Sequence, residues 1–259
     1  MTHEQKRIWL INELLMENSY YNGYGIPSQE QEQKDLLRAL MNVRPPKPIS
    51  QQFLQVQDEY LSEEVKKNGI TESADLSATG FDRRISLWRG DITTLKVDGI
   101  VNAANSGMTG CYRPLHNCID NIIHSKAGIQ LRLKCHEIMQ KQGFEEPTGS
   151  AKITPAYNLP CKYVLHTVGP IVQGNLTDSH RKQLKSCYTS CLELAETSGL
   201  QSIAFCNIST GVFMFPKREA AEIAIATVSE FLDGHDGLKK VIFNVFDIEN
   251  YDIYRSLLE

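Results

Sequence analysis

The amino-acid sequence predicts an α/β fold in which a mixed, largely parallel sheet is covered by helices on both faces and preceded by a helical extension. After residue 80, short β-rich segments alternate with longer helical segments, which is the pattern of such sheets. The first 80 residues show only helical periodicity. The chain has 259 residues, 41% of them hydrophobic and 22% charged, so it can bury a sizeable core.

The first 80 residues are predicted to form three helices, separated by a turn and by a Pro-rich break at residues 45–48. Ser28 and Gln31 have the spacing of a capping box, which predicts the start of the second helix. Gly69 is placed to end the third helix. Because the apolar faces of these helices need burial, we expect the extension to pack against the rest of the chain.

The small, polar segment from Thr71 to Gly80 is predicted to be a linker. It divides the chain into an N-terminal helical extension with its linker, residues 1–80, and a main domain, residues 81–259. Six strands are predicted in the main domain: Arg84 to Trp88, Gly99 to Asn102, Ala151 to Thr154, Tyr163 to Val168, Ser202 to Cys206 and Val241 to Phe246. Five helices are predicted around them: Asn117 to Ala127, Gln130 to Gln142, His180 to Thr197, Lys217 to Leu232 and Glu249 to Leu257.

Composition excludes several classes of partner. The formal net charge is −4 and the isoelectric point is near 6.0, so we expect no nucleic-acid partner. The N-terminal segment lacks the uncharged apolar centre of a signal peptide, and no stretch approaches a membrane span, so we expect a cytoplasmic protein without a membrane partner. Seven cysteines, an odd number, favour reduced thiols or metal ligation over a disulfide framework. Five of them are expected to be small buried residues: Cys135, Cys161, Cys187, Cys191 and Cys206.

Polar residues follow the first two predicted strands, and ligands of such sheets bind at the carboxyl ends of strands. Gly90, Asp91 and Ile92 come after the first strand, and the Asp91 carboxylate can accept a hydrogen bond from an exocyclic amine. Asn102 and Asn105 come at the end of the second strand, and their amides suit the vicinal hydroxyls of a ribose. Ordinary turns use the same residue types, so each motif alone also fits a purely structural role.

Residues suited to binding a ligand also follow two later predicted strands. The segment from Ile208 to Phe213 lies between a predicted strand and Pro216, and its small residues with free backbone N–H groups can bind a diphosphate. It is not a Walker loop, because the Lys-Ser ending is absent. Phe246, at the end of the last strand, can stack on a base, although burial in the core is the commoner fate of such a phenylalanine.

The ordered motifs of the main domain resemble the macrodomain family of ADP-ribose binders and hydrolases. The motifs are GDIT, VDGIVNAANS, IDNIIHSKAG, GSAKITPAYNLP, YVLHTVGP and ISTGVF, and the resemblance extends from roughly Phe81 to the C-terminus. It implies a three-layer α/β/α macrodomain whose cleft holds ADP-ribose. By this resemblance, Asp91 meets the adenine amine, Asn105 meets the distal ribose, and Asp120 is the acidic residue of hydrolytic members. The implied ADP-ribose-binding set is Asp91, Ile92, Asn105, Cys118, Ile119, Asp120, Ser209, Thr210, Gly211, Val212, Phe213 and Phe246.

One segment departs from the commonest hydrolytic macrodomains, which carry a run of glycines between the asparagine motif and the aspartate. Here the segment contains Cys111, His116 and Cys118, in the pattern Cys-x4-His-x-Cys. This pattern is similar to the zinc-containing bacterial branch of the macrodomains, in which the metal lies beside the distal ribose and N-terminal helical extensions also occur. Zinc prefers thiolate and imidazole ligands, and three of them leave a fourth position for water or substrate.

A fourth ligand is not present in the same segment, although His124 or a distant residue could supply one. His124 and His166 are otherwise expected to be core or hydrogen-bonded residues. The alternative is that Cys111 and Cys118 bind no metal, but that arrangement would leave exposed thiols close together.

Together these observations predict a zinc-dependent protein ADP-ribosylhydrolase that removes mono-ADP-ribose from side chains, through an ester-like linkage to Asp or Glu. Asn105 and Asp120 are the predicted catalytic residues, Zn²⁺ is the predicted cofactor, and ADP-ribose and mono-ADP-ribosylated protein are the predicted partners. Two alternatives remain: a reader module that binds ADP-ribose without turnover, and a hydrolase of a small ester such as O-acetyl-ADP-ribose. A pure reader has no need of Asp120 or of the metal ligands.

Overall fold

The N-terminal extension consists of three helices that precede the sheet. In the computed structural model, which describes all 259 residues, they are α1 (His3–Met16), α2 (Glu30–Val43) and α3 (Gln51–Asn68). α1 begins with a capping box between Thr2 and Gln5. α3 ends at Gly69, as predicted, and the φ angle of 84° at this position favours glycine.

The capping box predicted at Ser28 and Gln31 is wrong. α2 begins at Glu30 with Gln29 at the N-cap, and no side chain caps it by a hydrogen bond. Gln31 therefore occupies the second helical position, where it cannot complete a capping box. The carboxylates of Glu30 and Glu32 lie in the first turn instead, and negative charge there stabilises a helix through its dipole.

The extension buries an apolar core of twelve residues, separate from that of the main domain. Leu10, Ile11 and Phe53 are fully buried within it. Ile129 contributes to this core from the main domain, so the extension packs against that domain as its apolar helix faces predicted.

The segment predicted to be a linker is attached to the main domain by backbone pairing. Thr71 and Glu72 form a short strand, β1 (Thr71–Glu72), that lies parallel to β3 (Leu95–Lys96). A salt bridge of 2.9 Å joins the side chains of Lys96 and Glu72 beside this pairing. The N-terminal end of the predicted linker is therefore part of the folded structure.

The central sheet has six strands in the order β2-β8-β7-β4-β6-β5. Each strand pairs in parallel with its neighbours, except that β5 runs antiparallel to β6, so the predicted mixed sheet is confirmed. All six strands were predicted to within two residues at each end. Their bounds are β2 (Ile85–Arg89), β4 (Gly99–Ala104), β5 (Ala151–Pro155), β6 (Tyr163–Val168), β7 (Ser202–Phe205) and β8 (Lys240–Val245).

Five helices flank the sheet, and a core of 44 buried residues lies between them and the strands. The near-continuous apolar runs of β4, β6, β7 and β8 are those of strands buried on both faces. None of the helices is both long enough and apolar enough to span a membrane. Their bounds are α4 (Ile119–Ala127), α5 (Ile129–Gln142), α6 (Asp178–Thr197), α7 (Lys217–Gly234) and α8 (Ile248–Leu258).

The strand order brings the predicted ligand-binding segments to one edge of the sheet. Strands β2, β8, β7 and β4 are consecutive neighbours and run parallel, so their carboxyl ends lie side by side. The segments that follow them begin at Gly90, Phe246, Cys206 and Asn105, respectively. Ligands of such sheets bind outside the carboxyl ends of strands, so this edge is where a site is expected.

Candidate active site and metal centre

A cleft of about 1010 Å³ opens at this edge of the sheet. Its walls are the end of β4, the segment from Gly110 to Asp120, the turn from Ser209 to Phe213 and the start of α8. The predicted site residues that line it are Asn105, Cys111, His116, Cys118, Ile119, Asp120, Ser209, Thr210, Gly211, Val212, Phe213 and Phe246. The cleft therefore gathers every predicted site residue except Asp91 and Ile92.

The three predicted metal ligands converge in the structure. The Sγ atom of Cys111 lies 3.5 Å from Nδ1 of His116, and the ligand atoms of Cys111, His116 and Cys118 all lie within 4.8 Å of one another. A tetrahedral zinc ion with bonds of about 2.3 Å to sulfur and 2.0 Å to nitrogen requires such separations between its ligands. The donor set and its spacing therefore fit zinc. His124 belongs to a separate, fully buried group and does not supply a fourth ligand here.

Cys118 also serves as the N-cap of α4, where its sulfur accepts a hydrogen bond of 3.4 Å from the backbone N–H of Asn121. Burial is the main effect that raises the pKa of the Cys118 thiol, to about 11, and the neighbouring Cys111 raises it further. A cation bound between the two sulfurs has the opposite effect, because a coordinated thiol is deprotonated. The position of Cys118 at a helix N-terminus also favours the thiolate.

Asp120 lies in the first turn of α4, and its side chain is almost completely buried at the floor of the cleft. One carboxylate oxygen accepts a 2.8 Å hydrogen bond from Asn102, and the other accepts one of 3.4 Å from Asn105. Burial raises the pKa of Asp120 to about 6, although the hydrogen bond from Asn102 lowers it. The carboxylate is thus fixed in orientation and less acidic than an exposed aspartate.

The two asparagines of the NAAN motif have different roles. Asn105 lines the cleft, and its side chain also bonds to its own loop, through Gly107 N–H at 3.0 Å and the Gly110 carbonyl at 3.1 Å. Asn102 is fully buried and lies behind Asp120, where it also contacts the ring of His166. The expectation that Asn102 meets ribose hydroxyls is therefore wrong: Asn102 positions Asp120.

The turn after β7 lines the cleft and contains unpaired backbone donors. The backbone N–H groups of residues 210–213 donate to no other group of the protein. Ser209 has a φ of 65°, and its buried Oγ has no hydrogen-bond partner. Successive free N–H groups form an anion-binding concavity, so the turn has the character predicted for a diphosphate site. Pro216 is the N-cap of α7.

Of the residues predicted to bind the adenine base, only Phe246 lines the cleft. Phe246 is 79% exposed at the rim of the cleft, so its ring is free to stack. Asp91 accepts hydrogen bonds from Thr93 N–H at 2.9 Å and Thr93 Oγ1 at 2.6 Å, both through Oδ1. Its Oδ2 atom makes no hydrogen bond, and Ile92 is buried. The adenine-binding role of Asp91 and Ile92 stays a prediction.

Arg132 is a site-supporting residue that sequence reasoning missed. It is buried on α5, donates a 2.7 Å hydrogen bond to the carbonyl of Thr109, and its guanidinium carbon lies 4.4 Å from the centre of the Tyr112 ring. These contacts fix the chain just before and after Gly110. A single arginine in an amphipathic helix carries no sequence signal for this role, because its partners are mostly backbone carbonyls.

Comparison with known proteins identifies the relatives of the chain. A Macro domain profile matches residues 101–224. A "Protein-ADP-ribose hydrolase" from Treponema medium is 58% identical over 260 residues, which cover 100% of both chains. One from Staphylococcus aureus strain MRSA252 is 47% identical over 96% of this chain and 93% of the relative. The solved Trypanosoma brucei macrodomain in complex with ADP-ribose has a TM-score of 0.66 at 29% identity, covering 85% of this chain and 95% of that one. The Oceanobacillus iheyensis macrodomain with ADP has a TM-score of 0.60 at 37% identity, covering 66% and 88%, respectively.

Proposed function

This chain belongs to the protein-ADP-ribose hydrolases of the Macro domain family, and we propose that it uses a zinc ion to release mono-ADP-ribose from Asp or Glu side chains. The observation that carries the proposal is the convergence of Cys111, His116 and Cys118 beside Asp120 in one cleft. We also propose that the division between extension and macrodomain falls near residue 80.

The substrate pose follows from the chemistry of the cleft walls. The diphosphate lies on the free N–H groups of residues 210–213, whose positive ends favour an anion. The adenine end extends toward Phe246 and the unpaired Oδ2 of Asp91. The distal ribose then lies between Asn105 and the metal ligands. Contacts far from the reacting bond can in this way be used to orient the reacting carbon.

The cysteine and histidine ligands would hold zinc beside the distal ribose. When bound, zinc supplies a Lewis acid that polarises an oxygen of the substrate or of a water molecule. The Asn105 side chain, fixed by its own loop, holds the ribose so that its anomeric carbon faces the attack. The two thiolates lower the net charge of the site, so a dication can be held in a half-buried position.

Asp120 has the geometry of a general base. Its carboxylate is fixed by Asn102 and Asn105 and forms the floor of the cleft. A water molecule attacks the anomeric carbon, forming a carbon–oxygen bond, while the bond from that carbon to the carboxylate oxygen of the modified side chain breaks. The proton from water passes to Asp120 and then to solvent, and the modified Asp or Glu leaves as a free carboxylate.

The test is the release of ADP-ribose from a protein modified on Glu, followed for the zinc-loaded protein and for the His116→Ala and Cys118→Ala variants. His136→Ala is the control, because it changes a histidine on α5 that lies outside the cleft. We expect zinc content and ADP-ribose release to fall together in the two ligand variants and to be unchanged in the control. Full activity in a variant that holds no zinc would disprove the metal role. If the zinc-loaded parent protein releases no ADP-ribose from the protein modified on Glu, the Glu linkage is excluded. Parallel assays on Ser-linked and O-acetyl substrates would then identify the alternative.

A further inference from the structure

We propose that helix α2 of the N-terminal extension positions the metal-binding segment of the cleft, residues 109–118, through Arg38 and Asn42. This inference rests on the proposed function, because it assigns the extension a role at the metal centre. Arg38 and Asn42 lie one helical turn apart on α2, so their side chains share one face of the helix.

Arg38 binds the backbone of a metal ligand directly. One terminal nitrogen of its guanidinium group donates to the carbonyl of His116 at 2.7 Å and to Oδ1 of Asn121 at 3.0 Å. Asn121 in turn donates from Nδ2 to the carbonyls of Arg113 at 2.9 Å and Cys111 at 3.3 Å. Arg38 thus fixes the backbone at His116 and, through one amide, the backbone at Cys111.

Asn42 fixes the residue that precedes His116. Its buried side chain accepts a 3.1 Å hydrogen bond from the backbone N–H of Leu115 and donates one of 2.9 Å to Ser125 on α4. Leu115 has a φ of 55°, in the left-handed region that is unfavourable for residues other than glycine. Such a conformation persists only where neighbouring contacts hold it, and Asn42 makes one of these contacts.

Arg132 joins the end of α2 to the beginning of the same segment. One of its terminal nitrogens donates to the carbonyls of Met41, Asn42 and Arg44, at distances of 2.6 to 2.9 Å. Its Nε atom donates to Thr109, the first residue of the segment. A cation at a helix C-terminus is stabilised by the helix dipole, so the charge of this buried arginine is favourable where it connects the end of α2 to Thr109.

The consequence for the metal is geometric. Zinc–ligand distances must stay within about 0.2 Å of their ideal values, so a small shift of the His116 backbone weakens coordination. Residues that orient metal ligands typically change metal affinity by about 10–100-fold when they are replaced. Arg38 and Asn42 are therefore expected to act as positioning residues, although neither of them is a metal ligand.

The experiment measures the zinc dissociation constant of the full-length protein by competition with a chromogenic chelator. The variants are Arg38→Gln and Asn42→Ala, and the control is Lys34→Gln. Lys34 lies one turn before Arg38 on α2, but its salt bridges go to Glu30 and Glu64 within the extension. We expect about 10–100-fold weaker zinc binding in both variants and unchanged binding in the control. Urea unfolding in EDTA for each variant shows whether the metal-free fold is retained, and Asn42→Ala decides the outcome if Arg38→Gln does not fold.

The results separate the two proposals. If the parent protein binds one zinc ion and folded Arg38→Gln and Asn42→Ala bind it with the parent's affinity, then α2 does not position the segment, and the proposed function is unaffected. If the parent protein binds no zinc, the metal role in the proposed function fails and this inference fails with it. Weaker zinc binding in both variants but not in Lys34→Gln would support it.

Discussion

At the scale of single residues, Asn102 connects the candidate general base to a buried histidine. Its Nδ2 group donates to Asp120 at 2.8 Å and lies 3.1 Å from Nδ1 of His166. Since Nδ2 is a donor, Nδ1 of His166 accepts, and the proton of the ring is then on Nε2, 2.9 Å from Oγ1 of Thr154. The network is complete only when His166 is neutral.

The neutral state of His166 predicts a loss of stability in mild acid. Burial lowers the pKa of His166 to about 3, whereas an unfolded histidine has a pKa of about 6.5. The unfolded chain therefore binds the extra proton first, and the free energy of unfolding falls by about 1.4 kcal/mol per pH unit as pH drops from 6.5 toward 3. Above pH 6.5 the contribution of this group is constant.

Urea unfolding at pH 7 and pH 5 in EDTA measures this effect. We expect the loss of unfolding free energy between the two pH values to be about 2 kcal/mol smaller in His166→Gln than in the parent, because glutamine does not titrate in this range. The comparison uses the change with pH within each protein, so any direct cost of the substitution cancels. Equal losses in both proteins would contradict a neutral, buried His166.

The sequence was informative where residue type alone determines chemistry. The spacing of Cys111, His116 and Cys118 predicted a metal centre, and the structure brings these three side chains together. The sequence could not distinguish Asn102 from Asn105, because both are asparagines at the end of one strand. Their roles differ only because Asn102 lies within β4 and points into the core, while Asn105 lies one residue beyond the strand.

At the scale of elements, the existence of the strands and helices was predictable from apolar periodicity, but their spatial order was not. The order β2-β8-β7-β4 depends on contacts between residues far apart in the chain, such as Ile85 with Val241. Local motifs also predicted helix starts less reliably, because the capping box predicted at Ser28 is absent. The carboxyl-end rule still located the cleft, because it requires only that the strands be parallel.

Close packing between the loops that follow β6 and β7 predicts that Gly169, outside the cleft lining, does not tolerate a larger residue. Gly169 follows β6, and a Cβ atom placed there would overlap Oγ of Ser209 and lie 2.8 Å from Cγ2 of Ile208. We expect Gly169→Ala to displace the turn that carries the free N–H groups and to weaken ADP-ribose binding by about tenfold or more, since misplaced binding groups lose contacts rapidly with distance.

Calorimetric titration with ADP-ribose measures this change. Gly234→Ala is the matched control, because a Cβ atom at Gly234, at the end of α7, meets no atom within 4 Å. We expect the control to bind ADP-ribose as the parent does. If Gly169→Ala keeps the parent's affinity while remaining folded, the turn after β7 does not bind the ligand in the way proposed.

At the scale of the whole molecule, the chain contains two apolar cores, and both an apolar contact and polar side chains connect the extension to the main domain. The core of the extension has twelve residues and that of the main domain has 44, and Ile129 is the main-domain residue in the smaller one. Between the cores, Arg38, Asn42 and Arg132 connect α2 to the metal-binding segment. Loss of packing in the extension should therefore be transmitted to the cleft through hydrogen bonds.

A pair of Phe→Ala substitutions tests whether the two cores have different effects on the metal centre. Phe53 is fully buried in the extension, and Phe231 lies in the main core on α7, outside the cleft lining. Each substitution is expected to cost about 3–5 kcal/mol of packing energy. We expect Phe53→Ala to weaken zinc binding as well, because Phe53 on α3 shares the extension's core with Leu37 and Leu40 of α2. A loosened α2 would no longer fix the backbone of His116. Phe231→Ala should be destabilised in urea yet bind zinc as the parent does, since Phe231 lies on α7, whereas the hydrogen bonds that fix the metal-binding segment come from α2 and α5. The zinc affinity of each variant, measured under conditions where the variant is folded, tests this difference. Equal affinities in the two variants would show that packing in the extension does not affect the metal centre.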